Sequence, residues 1–389
     1  MTGRHGYGAT LLTIFAVGVA FTNANVGIYI VPFQIGAWMD GLQLSAVQSG
    51  LLGTLEIAAM SITAIIVAPT MSRWPRTNAA MVGALMAIAG QVLTAGIDHY
   101  VLLAFVRLTV GIGCGLIFAA VVAAIATAKE PDRLMGYGQA VMNLSFMLVF
   151  LLIPYALLWQ GQQGLFLCLA ALMMLSFPLY RLLPDEGATV QDSDVLPSVH
   201  QNVGIHVLIH VIAIVLLNLG LGALWGFLER VGVQIGLSTE TIGAVLSAST
   251  IAMISGSMFA GWLAVRVGRA VPMLLASVFC GVSALGVMTA ETLFVYAAAV
   301  MLYGVAYLFL GPYIIVGVGS ALDSSGRLAP ACGGIMFLSY SIGIGGGGYI
   351  VDAFSYPAIG WAAFVSCVVS GVLFFFNARA IESRQTSAI

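Results

Sequence analysis

The chain repeats itself at a spacing of 193 residues. Asn25-x-Gly27 returns as Asn218-x-Gly220, Ser45 to Gly50 returns as Ser238 to Gly243, and Ala68-x4-Arg73 returns as Gly261-x4-Arg266. With the register slipped by one residue, Met142-x-Leu-Ser-Phe146 returns as Met336-x-Leu-Ser-Tyr340. The chain has 389 residues, so the period is close to half of it. A period of that size means two related halves rather than a stack of short repeats.

What the halves are made of follows from charge. Asp, Glu, Lys and Arg make up 7% of the residues, and 61% are hydrophobic, with a mean hydropathy of +1.06. A soluble domain carries about 25% charged residues. So sparse a set cannot cover a surface in water, so lipid is the solvent for most of this chain. Apolar runs long enough to cross a bilayer recur twelve times. They cover roughly 9–38, 45–71, 77–97, 100–128, 134–158, 162–183, 204–232, 239–264, 270–290, 292–320, 328–351 and 357–378. The breaks hold turn formers and charges, as at Asp40-Gly41, Arg73 to Arg76, Lys129 to Arg133, Arg266 to Arg269 and Asp323 to Arg327. The longest break, 184–203, is polar and acidic, with Asp185, Glu186, Asp192 and Asp194. It reads as a cytoplasmic linker between an N-terminal six-helix bundle, 1–183, and a C-terminal one, 204–389. The expected fold is an all-α integral membrane protein of twelve transmembrane helices, its two bundles related by a pseudo-two-fold axis.

Lysine and arginine set the orientation. With both termini in the cytoplasm, eleven of the thirteen basic residues fall on that side: Arg4, Arg73, Arg76, Lys129, Arg133, Arg181, Arg266, Arg269, Arg327, Arg379 and Arg384. Arg107, inside a span, and Arg230, at an outer end, are the exceptions. The opposite loops carry Asp40, Asp98, Glu240, Glu291 and Asp352. The first span is too long for a cleaved signal peptide and has a counterpart in the second half. Short loops on this pattern suit the bacterial inner membrane.

Several function classes drop out. The net charge of −2 gives no reason to expect a nucleic-acid partner. No phosphate-binding loop of the Gly-x4-Gly-Lys type occurs, so energy has to come from gradients. Gly111-x-Gly113-x-Gly115 and Gly345 to Gly348 lie inside apolar runs and read as helix packing. Cys114, Cys168, Cys280, Cys332 and Cys367 read as small apolar residues, with no metal-ligand spacing. His206 and His210 share one helix face: a polar interface, with zinc or proton relay the alternative. No cofactor is expected. An enzyme would need an interfacial nucleophile and base, and a receptor would need a signalling domain; the chain offers neither.

The loops after the second and eighth spans carry a family resemblance. Gly261-Trp-Leu-Ala-Val265-Arg266-Val-Gly268-Arg269 resembles Gly-x-x-x-Asp-Arg-x-Gly-Arg, the signature loop of the major facilitator superfamily (MFS), with Val265 in place of the aspartate. The first copy, Ala68 to Arg76, is more degraded, with Ser72 at the aspartate position. Arg107 to Gly111 resembles the family's arginine motif in span 4. The Gly-x3-Gly-Pro antiporter pattern is missing from span 5. The resemblance implies a transporter working by alternating access, with Arg73, Arg76, Gly261, Arg266, Gly268 and Arg269 in its gating loops. In the family the missing aspartate latches the outward-facing state. Either that latch is weaker here or Arg133 and Arg327 find other partners.

Within the spans a few residues stand out. Glu56 in span 2 and Arg107 in span 4 are ionisable groups deep in lipid, which marks a functional site by default. At about 1.5 Å rise per residue they reach similar depth. They are a structural ion pair, a proton-coupling pair or a substrate contact. Asn25 and Asn218 hold equivalent places in spans 1 and 7, which line the cavity by resemblance; the alternative is hydrogen bonding between helices within each half. Tyr29, Asn143, Trp225, Tyr303 and Tyr307 complete the expected substrate cavity, with Gln34 a weaker polar candidate and Phe227 and Tyr313 as further aromatics. An aromatic lining with few charges suits an amphipathic or aromatic solute. The alternative is that these rings fill helix interfaces. Glu229 and Arg230 read as a rim pair, with a gate as the alternative. The expected partners are a small-molecule solute, protons and the lipid bilayer, with the protein a monomer. The function expected is secondary active transport of a small organic solute, proton-coupled, with a passive facilitator or a non-transporting receptor as alternatives.

Overall fold

The computed structural model describes residues 10–71, 74–128, 130–184, 203–264, 268–314 and 328–387. Arg73, Arg266, Lys129, Arg327 and nearly all of the 184–203 linker therefore lie outside the described residues.

Among the described residues every regular element is helical. The first four helices are α1 (Leu11–Gly41), α2 (Ala46–Val67), α3 (Arg76–Ala95) and α4 (Tyr100–Ala126). Next comes one helical stretch, Pro131–Ser176, broken where Gln160 and Gly161 leave helical geometry. Gly161 has φ of +55°, open to glycine and strained for other residues. We treat its two arms, 131–159 and 162–176, as α5 and α6. The second half supplies α7 (Val203–Gln234), α8 (Thr239–Ala264), α9 (Ala270–Met288), α10 (Leu293–Pro312), α11 (Leu328–Ala353) and α12 (Tyr356–Ser387). Eleven described helical stretches are long and apolar enough to cross a membrane, and one of them contains the α5–α6 break. Twelve crossings follow, with the break between the expected fifth and sixth spans.

Their apolar surface is consistent with lipid. Leu158, Trp159, Leu175, Phe294 and Phe376 are all exposed, which a soluble monomer would not tolerate in such number. The buried side is built from small residues. A Cβ on Gly113 would lie 2.4 Å from the Gly83 carbonyl oxygen, and one on Gly115 would lie 2.5 Å from that of Met60. These glycines hold α4 against α3 and α2, as expected of packing residues rather than a nucleotide loop.

The chain forms two compact units. The first comprises residues 1–37 and 55–192, and the second 38–54 and 193–389. The end of α1 and the start of α2 thus belong with the second sequence half. In the first unit α3 packs on α4. In the second, α12 packs on α7 and α9, α7 also packs on α11, and α10 packs on α8 and α9.

Candidate functional site

Glycines shape the site in the first unit. A Cβ on Gly27 of α1 would sit 2.6 Å from Glu56 Oε1, and one on Gly111 of α4 would sit 2.1 Å from the Glu56 carbonyl oxygen. Both helices can therefore close on the middle of α2 only where glycine stands. Arg107 precedes Gly111 by about one turn, which aims its side chain at Glu56. Arg107 Nη1 and Glu56 Oε2 form a salt bridge at 3.3 Å, both side chains essentially without exposure.

The guanidinium has further acceptors. Arg107 Nη2 donates to the Gly90 carbonyl at 3.3 Å, to Gln91 Oε1 at 3.3 Å and to Thr94 Oγ1, all on α3. The ring of Phe166 on α6 lies 5.1 Å from its carbon centre, a cation–π distance. The arginine is thus fixed from three sides.

The carboxylate is less completely held. Glu56 Oε1 has no hydrogen-bond partner, nor do Arg107 Nε and Gln91 Nε2. Gln34 is fully buried beside the carboxylate, yet neither polar atom of its amide closes a hydrogen bond. Buried polar atoms are nearly always paired, so these atoms mark a polar cluster around Glu56 rather than a packed apolar seam.

The asparagines of the repeat are used alike. Asn25 Nδ2 donates to the Phe21 carbonyl at 2.9 Å, and Asn218 Nδ2 to the Ile214 carbonyl at 2.8 Å. Asn25 also reaches Met142 Sδ at 3.8 Å. Asn218 Oδ1 accepts from the Tyr307 hydroxyl at 3.1 Å. Tyr29 stacks on Phe146, with ring centres 3.9 Å apart and planes within 2°. Asn143 donates to the Gln139 carbonyl and leaves its Oδ1 unpartnered.

Tyr307 opens an aromatic set in the second unit. It stacks on Tyr303 with centres 5.5 Å apart, and Tyr303 stacks on Trp225 at the same separation. Tyr340 joins through a hydroxyl–hydroxyl bond to Tyr303 at 3.2 Å. Tyr340 was not singled out from the sequence, although it closes one of the repeated stretches. Gln91, Thr94 and Phe166 were missed too. Gln91 had a signal, since an amide inside an apolar span needs a partner. Asn23, which donates to Ser176 Oγ and Tyr180 Oη, had the same one.

His206 and His210 bond separate partners. His206 Nδ1 bonds Asn377 Oδ1 at 2.6 Å, His210 Nε2 bonds the Ile314 carbonyl at 3.0 Å, and no metal-holding group occurs among the described residues. Each described cysteine is a free thiol.

The profile of the Major Facilitator Superfamily matches residues 11–329. The chain belongs to that superfamily. An MFS member is a transporter, not an enzyme. No curated protein sequence matches the chain. Solved structures do. The crystal structure of a D-xylose–proton symporter superposes with a TM-score of 0.73 at 16% identity, covering 94% of this chain and 96% of that one. A variant of the peptide transporter POT superposes at 0.74 with 14% identity, covering 98% and 96%. At such identities the likeness shows the MFS fold alone.

The loops that carry the family resemblance are described in part. Arg76, the first residue of α3, is buried and donates to Thr127 Oγ1 and to the Pro184 carbonyl. Gly261 lies in α8, while Gly268 and Arg269 lie in the turn that leads into α9. Arg133 has found another partner: Glu130, at 3.0 Å on the surface, with the Tyr137 ring 5.6 Å away.

Proposed function

We propose that this MFS transporter moves a small organic solute across the bacterial inner membrane by alternating access, as a proton-coupled secondary transporter. The observation that carries the coupling is Glu56. Among the described residues it is the carboxylate farthest from the ends of its span, one oxygen is tied to Arg107, and the other has no hydrogen-bond partner. A carboxylate in that position takes a proton without breaking its surroundings, and its bond to Arg107 then weakens. The residues proposed for the solute are Asn25, Tyr29, Asn143, Asn218, Trp225, Tyr303 and Tyr307. The stacked rings of the second unit favour an aromatic or amphipathic solute over a sugar phosphate or a dicarboxylate. The gating role is proposed for Arg73, Arg76, Gly261, Arg266, Gly268 and Arg269.

The protein is proposed to act as a monomer, its bundles 1–183 and 204–389 joined by a cytoplasmic linker at 184–203, with both termini in the cytoplasm. Cysteines introduced at Gln43 and Asp192 test that topology. The first should react with an impermeant thiol reagent from outside and the second only after permeabilisation.

Glu56→Gln tests the coupling. The amide is nearly isosteric but cannot ionise. Uphill accumulation should vanish while counterflow exchange of solute persists. A variant that accumulates solute as well as the parent would make Glu56 a strut between helices and the protein a facilitator.

A further inference from the structure

The hairpin 38–54 joins α1 to α2 yet belongs to the unit of the second sequence half. Asp40 Oδ1 accepts from Arg230 Nη1 at 2.7 Å. Asp352 Oδ2 accepts from the backbone N–H of Val47, in the first turn of α2, at 3.2 Å. Thr54 Oγ1 donates to the Ser341 carbonyl at 2.7 Å. Between these contacts the backbones nearly touch: a Cβ on Gly348 would lie 2.4 Å from the Ala46 carbonyl oxygen.

Arg230 holds two carboxylates of different character. Glu229 is its neighbour on α7, is buried, and accepts from Nε at 2.7 Å and Nη2 at 2.9 Å. Asp40 takes the remaining nitrogen, Nη1, from the hairpin, and its side chain is 68% exposed.

We infer that Asp40 is the exchangeable counter-ion of Arg230 and Glu229 the resident one, so that the Asp40–Arg230 pair is a release clamp on the α1–α2 hairpin. When the hairpin leaves, Glu229 still grips Arg230 through two bonds, and no bare charge is stranded in a dry site. The ion pair that breaks has one partner at the rim in solvent, where such pairs are weak. The two carboxylates also work against each other. Glu229 spends part of the guanidinium's charge and repels Asp40, so it sets how tightly the hairpin is held. On the topology proposed above, the clamp lies at the outer face.

The clamp assigns opposite signs to the two acids. Removing the charge of Asp40 loosens the hairpin. Removing that of Glu229 tightens it, because Asp40 then has the guanidinium to itself. Two ordinary staples would both loosen.

The test is a spin-label distance between Gln43→Cys on the hairpin and Glu240→Cys at the start of α8, both exposed, in full-length protein lacking the five native cysteines. The readout is the ratio of released to docked hairpin. Asp40→Asn should raise it about two- to fivefold, the range for a rim pair, and Glu229→Gln should lower it. Because screening acts on the exposed partner, about 1 M salt should raise the ratio in the parent and leave Asp40→Asn unmoved. A rise in both variants overturns the assignment, and so does a parent ratio that ignores salt. If Glu229→Gln does not fold, the salt comparison decides. The readout contains no solute, so a failure here is distinct from a failure of proton coupling.

Discussion

The two halves use the same helix crossing for different purposes. Gly111 and Gly304 stand 193 residues apart, as do Glu56 and Ser249, and Arg107 and Val300. A Cβ on Gly111 meets the Glu56 carbonyl oxygen at 2.1 Å, and one on Gly304 meets the Ser249 carbonyl oxygen at 3.0 Å. The same pair of positions brings two helices together in each unit. The first crossing carries a buried acid and a buried arginine, while the second carries Ser249, bonded to its own helix at the Leu246 carbonyl, and the buried Val300. The aromatic side runs the other way. Tyr303 and Tyr307 correspond to Val110 and Cys114, and buried Phe227 corresponds to Gln34. At these equivalent positions the first half carries the ion pair and the second carries the rings. Small residues preserve the backbone approach through the repeat.

The sharpest way to break that contrast is to remove one charge. Arg107→Met leaves Glu56 buried without its counter-ion and should cost about 3–5 kcal/mol of stability. Ser249→Ala, at the equivalent of Glu56, loses one local hydroxyl bond and should cost about 1 kcal/mol or less. Unfolding in detergent with a graded denaturant measures both. Equal losses would mean that the first crossing is no more specialised than the second.

The glycines come next. Gly111→Ala forces a methyl into the Glu56 backbone and should destabilise by about 1–3 kcal/mol, the usual cost of overpacking. Gly304→Ala has nearly 1 Å more room, its other neighbours being Met253 Cγ at 3.3 Å and the Met253 backbone nitrogen at 3.4 Å. Its cost should be clearly smaller in the same assay. The reverse order would remove the claim that the first crossing is the tighter one.

The smallest effect belongs to the aromatic half. Tyr307→Phe deletes the hydroxyl that Asn218 Oδ1 accepts from and should cost about 0.6 kcal/mol, typical of a polar contact between membrane helices. Its effect on transport is the more telling readout. If the hydroxyl meets solute, KM rises. An unchanged KM would confine the hydroxyl to its bond with Asn218.

Much of the architecture could be read before any coordinates. Spans in lipid are marked by composition, and turns by charge, so the positions of the helices followed from local signals. Even the join between α5 and α6 fell at Gln160-Gly161, inside the expected break at 159–161. Glu56 and Arg107 were visible because a charge in an apolar run is conspicuous. Their shell was not. That Arg107 meets Gln91 and Thr94 depends on the rotation of α3 about its axis, which no single span encodes. Asp40 and Arg230 are 190 residues apart in the chain, and nothing local ties a loop acid to that one arginine. The membership of the hairpin in the second unit was hidden for the same reason.

The acceptors of Arg107 have an order along the chain. Glu56, Gly90, Gln91 and Thr94 all precede it. Synthesis runs from the N-terminus, so α2 and α3 leave the ribosome before α4. The least insertable residue of the first half therefore enters a membrane in which its carboxylate and its hydroxyl, amide and carbonyl oxygens have already been delivered. A circular permutation that made α4 first would keep every contact in the finished protein and deprive the arginine of company at the moment of insertion.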